Sequence, residues 1–212
     1  MTASPHDLSL VLPIKNTAWA KSRIDVPGAT RQQVAMALAR HSLEVATQCL
    51  PAEQIFVVTS DRTVRELADE LGVRVVADPD RGLNQAIECG MKEARRQRPR
   101  SGVLVLVSDL PEIETETLST FLPLLDPAAK VGQFVADHSG VGTSAVFCPP
   151  GVKVRMVFGP DSAARFEALG CRRVHNAPLE LRTDLDTLDD LKALQSESRL
   201  SWLHSAAGLA TI

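Results

Sequence analysis

Four short stretches carry residue types that can do chemistry together. The first is VLVLVSDLP, residues 103–111, where the carboxylate of Asp109 closes a run of valine and leucine with only Ser108 between. A carboxylate so placed is desolvated on several sides and costly unless a metal ion or a cationic partner answers it. The bland reading is a cap for the segment that starts near Pro111. The second is LRTDLDTLDDL, residues 181–191. Asp184 and Asp186 are two apart, so an extended backbone turns both carboxylates to one side. Thr187, with Asp190 three residues on, has the pattern of a capping box for a following helix; this accounts for Thr187, Asp189 and Asp190, and less well for the earlier pair. Together with Asp109 they make an oxygen-ligand set suited to Mg2+.

The third stretch is LPIKNTAWAKSRI, residues 12–24. Lys15, Lys21 and Arg23 follow an apolar run, and three cations there can neutralise a polyphosphate and the charge that builds during phosphoryl transfer. The glycines of a Walker A loop are absent, and a solvated basic loop fits the composition equally. The fourth is a pair, GVGTS at 140–144 and FGPDSAAR at 158–165. Glycines and hydroxyls ahead of a helix can present backbone N–H groups to an anion. Asp161 or Ser162 as an ordinary N-cap is compatible with that role. RRQRPR at 95–100 reads as a solvated helix C-terminus rather than a phosphate patch. His138 and His175 are scattered and read as surface residues.

Hydropathy patterning supplies the elements that must hold these residues. Residues 8–14, 54–59, 73–77 and 103–107 read as strands, the last the most apolar; 132–136, 142–147 and 172–175 are three more short ones. Helices are expected after Thr30 as N-cap, after Ser60 or Asp61 with Gly72 as terminator, over 84–97, over 114–125, over 161–169 and over 187–195. Strands alternating with helices imply right-handed crossovers and a mostly parallel sheet, and continuous Val/Leu runs imply strands covered on both faces. In such a sheet ligands bind beyond the carboxyl ends of the strands. That rim would hold Pro13-Ile14-Lys15, Thr59-Ser60, Asp78 and Ser108-Asp109.

Composition narrows the class. The 212 residues suit one domain, with a core at about 8–196 and a tail over 197–212. A net charge of −3 points to neither nucleic acid nor a membrane surface. No apolar run approaches the roughly 18 residues of a membrane-spanning helix. The N-terminus has no basic region or cleavage site, so it reads as mature chain. Cys49, Cys89, Cys148 and Cys171 form no CxxC pair and are expected as buried thiols in a reducing cytoplasm. Leu200, Trp202 and Leu203 in the tail fit either a homodimer contact or packing on the chain's own core.

Read in order, PIK…AKSRI, DP…GLNQA, SDLP, GVGTS, FGPDSAARF and LRTDLDTLDDL resemble the 2-phospho-L-lactate guanylyltransferase family of coenzyme F420 biosynthesis over residues 8–194. The resemblance implies a GT-A-like, Rossmann-like α/β nucleotidyltransferase fold with a central mixed, mostly parallel sheet. It implies an enzyme that moves GMP from GTP to a phosphorylated three-carbon acid with release of pyrophosphate. The acceptors in the family are 2-phospho-L-lactate, phosphoenolpyruvate and 3-phospho-D-glycerate. By the same resemblance Lys15, Lys21 and Arg23 form the triphosphate set. Thr59, Gly82 and Asn84 lie at the nucleoside, Asp109, Asp184 and Asp186 hold the metal, and Thr143, Gly159 and Ser162 hold the acceptor. Val141 stands where the family commonly has Thr, Phe166 where it has His, and Leu188 where it has Pro; the first two bear on the choice of acceptor. The rivals are a molybdenum-cofactor or sugar-phosphate nucleotidyltransferase of the same fold, whose glycine-rich N-terminal loop is missing here, and a non-catalytic nucleotide-binding module, which would have no use for three carboxylates.

Overall fold

A computed structural model of the chain describes residues 8–18, 27–193 and 200–206. Seven strands, β1 (Leu8–Pro13), β2 (Ile55–Thr59), β3 (Arg74–Ala77), β4 (Gly102–Leu106), β5 (Gln133–Ala136), β6 (Thr143–Cys148) and β7 (Arg172–Arg173), form one sheet in the order β3-β2-β1-β4-β6-β5-β7. β6 alone runs antiparallel to its neighbours β4 and β5. Its first residue therefore lies at the same edge as the last residues of β1, β2, β4 and β5. The register fixes this edge: Leu106 faces Ala145, and Ala136 faces Thr143.

The two-residue period of a strand sorts side chains into two apolar layers. Leu10, Leu12, Ile55, Val57, Leu104 and Leu106 pack into one layer with α1 (Gly28–Cys49), α2 (Arg62–Glu70) and α4 (Thr115–Phe121). Val11, Phe56, Val58, Val103 and Val105 pack into the other with α3 (Leu83–Gln97) and α5 (Ser162–Ala168). All of these strand residues are at most 2% exposed, each worth roughly 1.5–3 kcal/mol of burial. Central strands with water on neither face are why the sequence shows unbroken Val/Leu runs where an exposed sheet would alternate.

Several boundaries differ from the sequence reading. α1 begins at Gly28 behind Pro27, without a side-chain cap, and Thr30 lies inside its first turn. Pro fixes the entry angle and leaves Thr30 no capping role. Asp61, rather than Ser60, caps α2: its carboxylate accepts from the N–H of Thr63 and Val64. The helix expected over 114–125 ends at Phe121 and tightens into a 3-10 turn, Leu122–Leu124, at Pro123. α6 (Leu188–Ala193) starts at the expected capping box, with Asp190 accepting from the N–H of Thr187 and Thr187 Oγ1 accepting from the N–H of Asp190. α7 (Ser201–Ala206) lies against α1, with Leu200 and Leu203 buried and Trp202 stacked on His41 at 4.4 Å. Those three tail residues therefore serve the chain's own core.

Gly90 sets how closely α3 approaches the sheet. A Cβ there would stand 2.6 Å from methyls of both Val11 and Val58. A mid-helix glycine costs about 1 kcal/mol against alanine, and close packing offsets it. Gly90→Val is expected to lower stability by about 2–3 kcal/mol, because two branched core residues and the strands beneath them must yield. Urea unfolding of the two proteins measures the difference.

Candidate active site

The carboxyl edge of the sheet gathers most of the predicted residues. After β4 the chain is held from several sides. Val107 N–H donates to the Ser144 carbonyl at 3.0 Å, Ser108 Oγ donates to the Pro13 carbonyl at 3.2 Å, and Ser42 Oγ donates to the Ser108 carbonyl at 3.1 Å. The Asp109 carbonyl then accepts from Leu185 N–H at 2.9 Å. That bond brings the 184–186 segment onto the end of β4, so residues distant in sequence share one edge. Leu185 is fully buried, which leaves its neighbours Asp184 and Asp186 half-buried on either side.

The three carboxylates act on one another electrostatically. Burial raises the Asp184 pKa, and the Asp109 and Asp186 charges raise it further; with a smaller push from Asp137 it reaches about 6. A site that drives one carboxyl to hold its proton near neutrality has more negative charge than it can leave unanswered. This is the condition that a hard dication with oxygen ligands relieves, so the donor set fits Mg2+ chemically. Among the described residues, no three His, Cys, Asp or Glu side chains are already drawn into metal-ligating geometry.

Two residues not singled out from the sequence complete this edge. The Asp137 carboxylate accepts from Val141 N–H at 3.1 Å, Gly142 N–H at 2.9 Å and Ser139 Oγ at 2.8 Å, shaping the GVGTS turn. The Arg182 guanidinium donates to the carbonyls of Ala136 and Asp137, both at 3.1 Å, and the Arg182 carbonyl accepts from His138 N–H at 2.7 Å. Arg182 thereby fastens the start of the 182–186 segment to β5. An Asp ahead of Ser-Gly is a recognisable turn signal. The role of Arg182 had no local signal.

Beside the carboxylates, Thr143 at the head of β6 is half-buried, and Ser162 is buried with its Oγ donating to Thr143 Oγ1 at 2.9 Å. Gly159 is exposed at φ 121°, a backbone conformation that side chains resist. Asp161 occupies the N-cap position of α5 in the left-handed region at φ 54° but makes no side-chain cap. The predicted acceptor residues Thr143, Gly159 and Ser162 thus adjoin at the start of β6 and in the turn that opens α5. Phe166, where histidine is common in the resembling family, is fully buried against Phe134 and Phe158 and presents no surface to a ligand.

On the other side of β1 lies a cleft of about 200 Å³, lined among others by Ile14, Lys15, Asp78, Asp80, Gly82 and Leu83. Lys15 is exposed there. Gly82, at φ 96°, stands directly before α3 and opens the helix N-terminus to the cleft. Lys21 and Arg23 lie outside the described residues. Thr59 does not reach this cleft: it has no exposed surface, and its Oγ1 accepts from Asp61 N–H at 3.1 Å. Strand parity turned it inward. Asn84 is half-buried with its amide engaged elsewhere, at the Phe158 backbone.

The basic loop is anchored by Asp61, whose carboxylate accepts from Thr17 N–H at 2.8 Å and Thr17 Oγ1 at 2.6 Å while also capping α2. Burial alone would raise its pKa, but the bonds from Thr17, Val64 and Thr63 outweigh burial and lower it. A depressed folded-state pKa stabilises the protein above the ordinary carboxyl range, and that stability is lost as pH falls through the folded value. Asp61→Ala is expected to cost about 2–3 kcal/mol near neutral pH, from the cap and the buried bonds together. The difference from wild type should shrink below about pH 4, where the carboxylate of the unfolded chain begins to protonate. Thermal unfolding at the two pH values reads it.

Comparison with known proteins concerns the chain as a whole. The family described as MobA-like NTP transferase domain matches residues 29–200. A phosphoenolpyruvate guanylyltransferase of Thermomonospora curvata is 41% identical over 188 residues, 87% of this chain and 82% of the relative. One from Mycobacterium marinum is 34% identical over 199 residues, 90% of this chain and 88% of the relative. Among solved structures, a candidate nucleotide-diphospho-sugar transferase of Desulfovibrio desulfuricans superposes with a TM-score of 0.65 at 15% identity, covering 95% of this chain and 93% of that one. At that identity the likeness concerns the fold, which is the GT-A-like α/β arrangement.

Proposed function

This chain belongs to the MobA-like NTP transferase family, among the phosphoenolpyruvate guanylyltransferases, and from that premise we propose that its acceptor is phosphoenolpyruvate and its metal Mg2+. The enzyme is a guanylyltransferase. A phosphate oxygen of the acceptor attacks the α-phosphorus of GTP, the bond from that phosphorus to the bridging oxygen of the β-phosphate breaks, and pyrophosphate leaves. The product would feed coenzyme F420 biosynthesis in the cytoplasm, with the chain acting as one nucleotidyltransferase domain.

The attacking oxygen belongs to a phosphate monoester with a second pKa of about 6, so it is already ionised at neutral pH. No side chain needs to remove a proton, in keeping with the exposed, unclustered positions of His138 and His175. The obstacle is the meeting of two anions. Asp109, Asp184 and Asp186 would hold the divalent cation. When bound, it supplies positive charge to the α-phosphate and the incoming oxygen. Lys15, with Lys21 and Arg23, would neutralise the departing pyrophosphate. Gly82, at the N-terminus of α3, leaves space for the nucleoside and directs the positive end of the helix toward its phosphates. Thr143, Gly159 and Ser162 would seat the acceptor's carboxylate or phosphate. Thr59 and Asn84, both engaged within the protein, act behind the nucleoside site rather than on it.

The observation that carries this reading is the bond from Leu185 N–H to the Asp109 carbonyl, which brings Asp184 and Asp186 to the end of β4, across β1 from a cleft bearing an exposed lysine. The test is pyrophosphate release by purified protein with Mg2+ and phosphoenolpyruvate, offering GTP or CTP, and again with a sugar phosphate as acceptor. Release with GTP and phosphoenolpyruvate supports the reading. Release only with CTP or only with a sugar phosphate would place the chain with the rival transferases.

A further inference from the structure

Asn84 ties the two substrate sites together. Its Nδ2 donates to the Phe158 carbonyl at 3.0 Å, and its Oδ1 accepts from Phe158 N–H at 2.8 Å. One amide thus pairs with both backbone groups of a single residue 74 positions away. On the near side Asn84 is the second residue of α3, directly after Gly82 and Leu83, which line the nucleotide cleft. On the far side Phe158 begins the loop that carries Gly159 and Ser162.

The far end is otherwise well anchored. Phe158 is 5% exposed and meets the Phe166 ring edge-on at 5.4 Å, and Phe166 stacks on Phe134 of β5 at 5.8 Å. The loop then turns through Gly159 at φ 121° and Asp161 at φ 54°, and returns through Ser162 Oγ to Thr143 and through Ala163 N–H to the Val141 carbonyl. Between the buried ring and that return, the Asn84 amide fixes the backbone at the point where the loop departs. A primary amide both donates and accepts at this reach. An aspartate there would set a carboxylate against the Phe158 carbonyl, and an apolar residue would leave both backbone groups unanswered.

We infer that Asn84 is a positioning residue: it holds the acceptor loop in place from the helix that borders the nucleotide cleft, rather than reading the nucleoside. The names of the two half-sites rest on the guanylyltransferase reading. A loop held before the acceptor arrives keeps the reacting oxygen in line with the α-phosphorus.

The experiment compares Asn84→Ala and Asn84→Asp with wild type. GTP affinity is measured by calorimetry without acceptor, phosphoenolpyruvate KM at saturating GTP, and amide exchange by mass spectrometry. The acceptor KM is expected to rise about tenfold in both variants, from two lost backbone bonds with alanine and from one lost bond and a carboxylate facing a carbonyl with aspartate, while GTP affinity stays within about threefold. Exchange over residues 158–162 should quicken, with β1 and β4 unchanged. In the aspartate variant the KM penalty relative to wild type should lessen as pH is lowered toward the ordinary carboxyl range, where a protonated carboxyl can again donate to Phe158. An acceptor KM at the wild-type value, or GTP affinity weakened about tenfold, overturns the inference. The exchange result stands apart from turnover: if wild type transferred no GMP, the functional reading would fail, and unaltered exchange over 158–162 would still decide against the clamp.

Discussion

Asp109→Asn is expected to lower guanylyl transfer by about 10³-fold without lowering the unfolding midpoint. The reason lies in how residues 107–109 are held. The bonds from Val107 to Ser144, from Ser108 to Pro13, from Ser42 to Ser108 and from Leu185 to the Asp109 carbonyl all use backbone groups or neighbouring hydroxyls. Asparagine preserves the shape and the backbone, and removes one negative charge from the carboxylates proposed to hold the metal. If the carboxylate acts on the transition state, kcat should fall far more than either KM rises. A variant that kept more than about a tenth of wild-type turnover would remove Asp109 from the chemistry.

Asp184→Asn is expected to act in opposite directions on function and stability. Turnover should fall by about 10²–10³-fold, because on the proposed reading Asp184 is a ligand of the metal. The metal-free protein, however, should become more stable at pH 8. Asp184 has a folded pKa raised to about 6 by burial and by the Asp109 and Asp186 charges. A group with a raised folded-state pKa holds its proton more firmly when folded than when unfolded. Its favourable contribution is complete below the unfolded value and is lost as pH rises through 6. Above that pH the native state carries a crowded charge that asparagine removes. The gain should fade on acidification to the ordinary carboxyl range, and added Mg2+ should stabilise wild type more than the variant. Thermal unfolding in chelator, at two pH values and then with Mg2+, reads all of these.

Much of the framework around the candidate site was legible in the sequence. Asp109 was conspicuous because it broke an apolar run, and the run itself identified β4 as a covered strand. Asp184 and Asp186 were visible as a pair that helix capping did not need; Thr187 and Asp190 then made the capping box expected of them. GVGTS and FGPDSAAR adjoin through Ser162 and Thr143. What stayed hidden depended on partners remote in sequence. Arg182 closes the edge through carbonyls 45 and 46 residues away, and Asn84 finds Phe158 at 74. No local pattern encodes such pairings. Thr59 shows a different failure: its place at the end of β2 suggested the rim, but strand parity turned its side chain into the core. Thr30 looked like a cap because it is a Thr near a helix start, yet Pro27 had already set the entry to α1.

The most direct test is the mass of the product formed from GTP and phosphoenolpyruvate by wild-type protein with Mg2+. The expected species is phosphoenolpyruvate with one guanylyl group joined through its phosphate, formed in step with pyrophosphate and absent when chelator is added. GTP recovered intact under the same conditions, or a guanylylated product formed equally well without a divalent cation, would contradict the account.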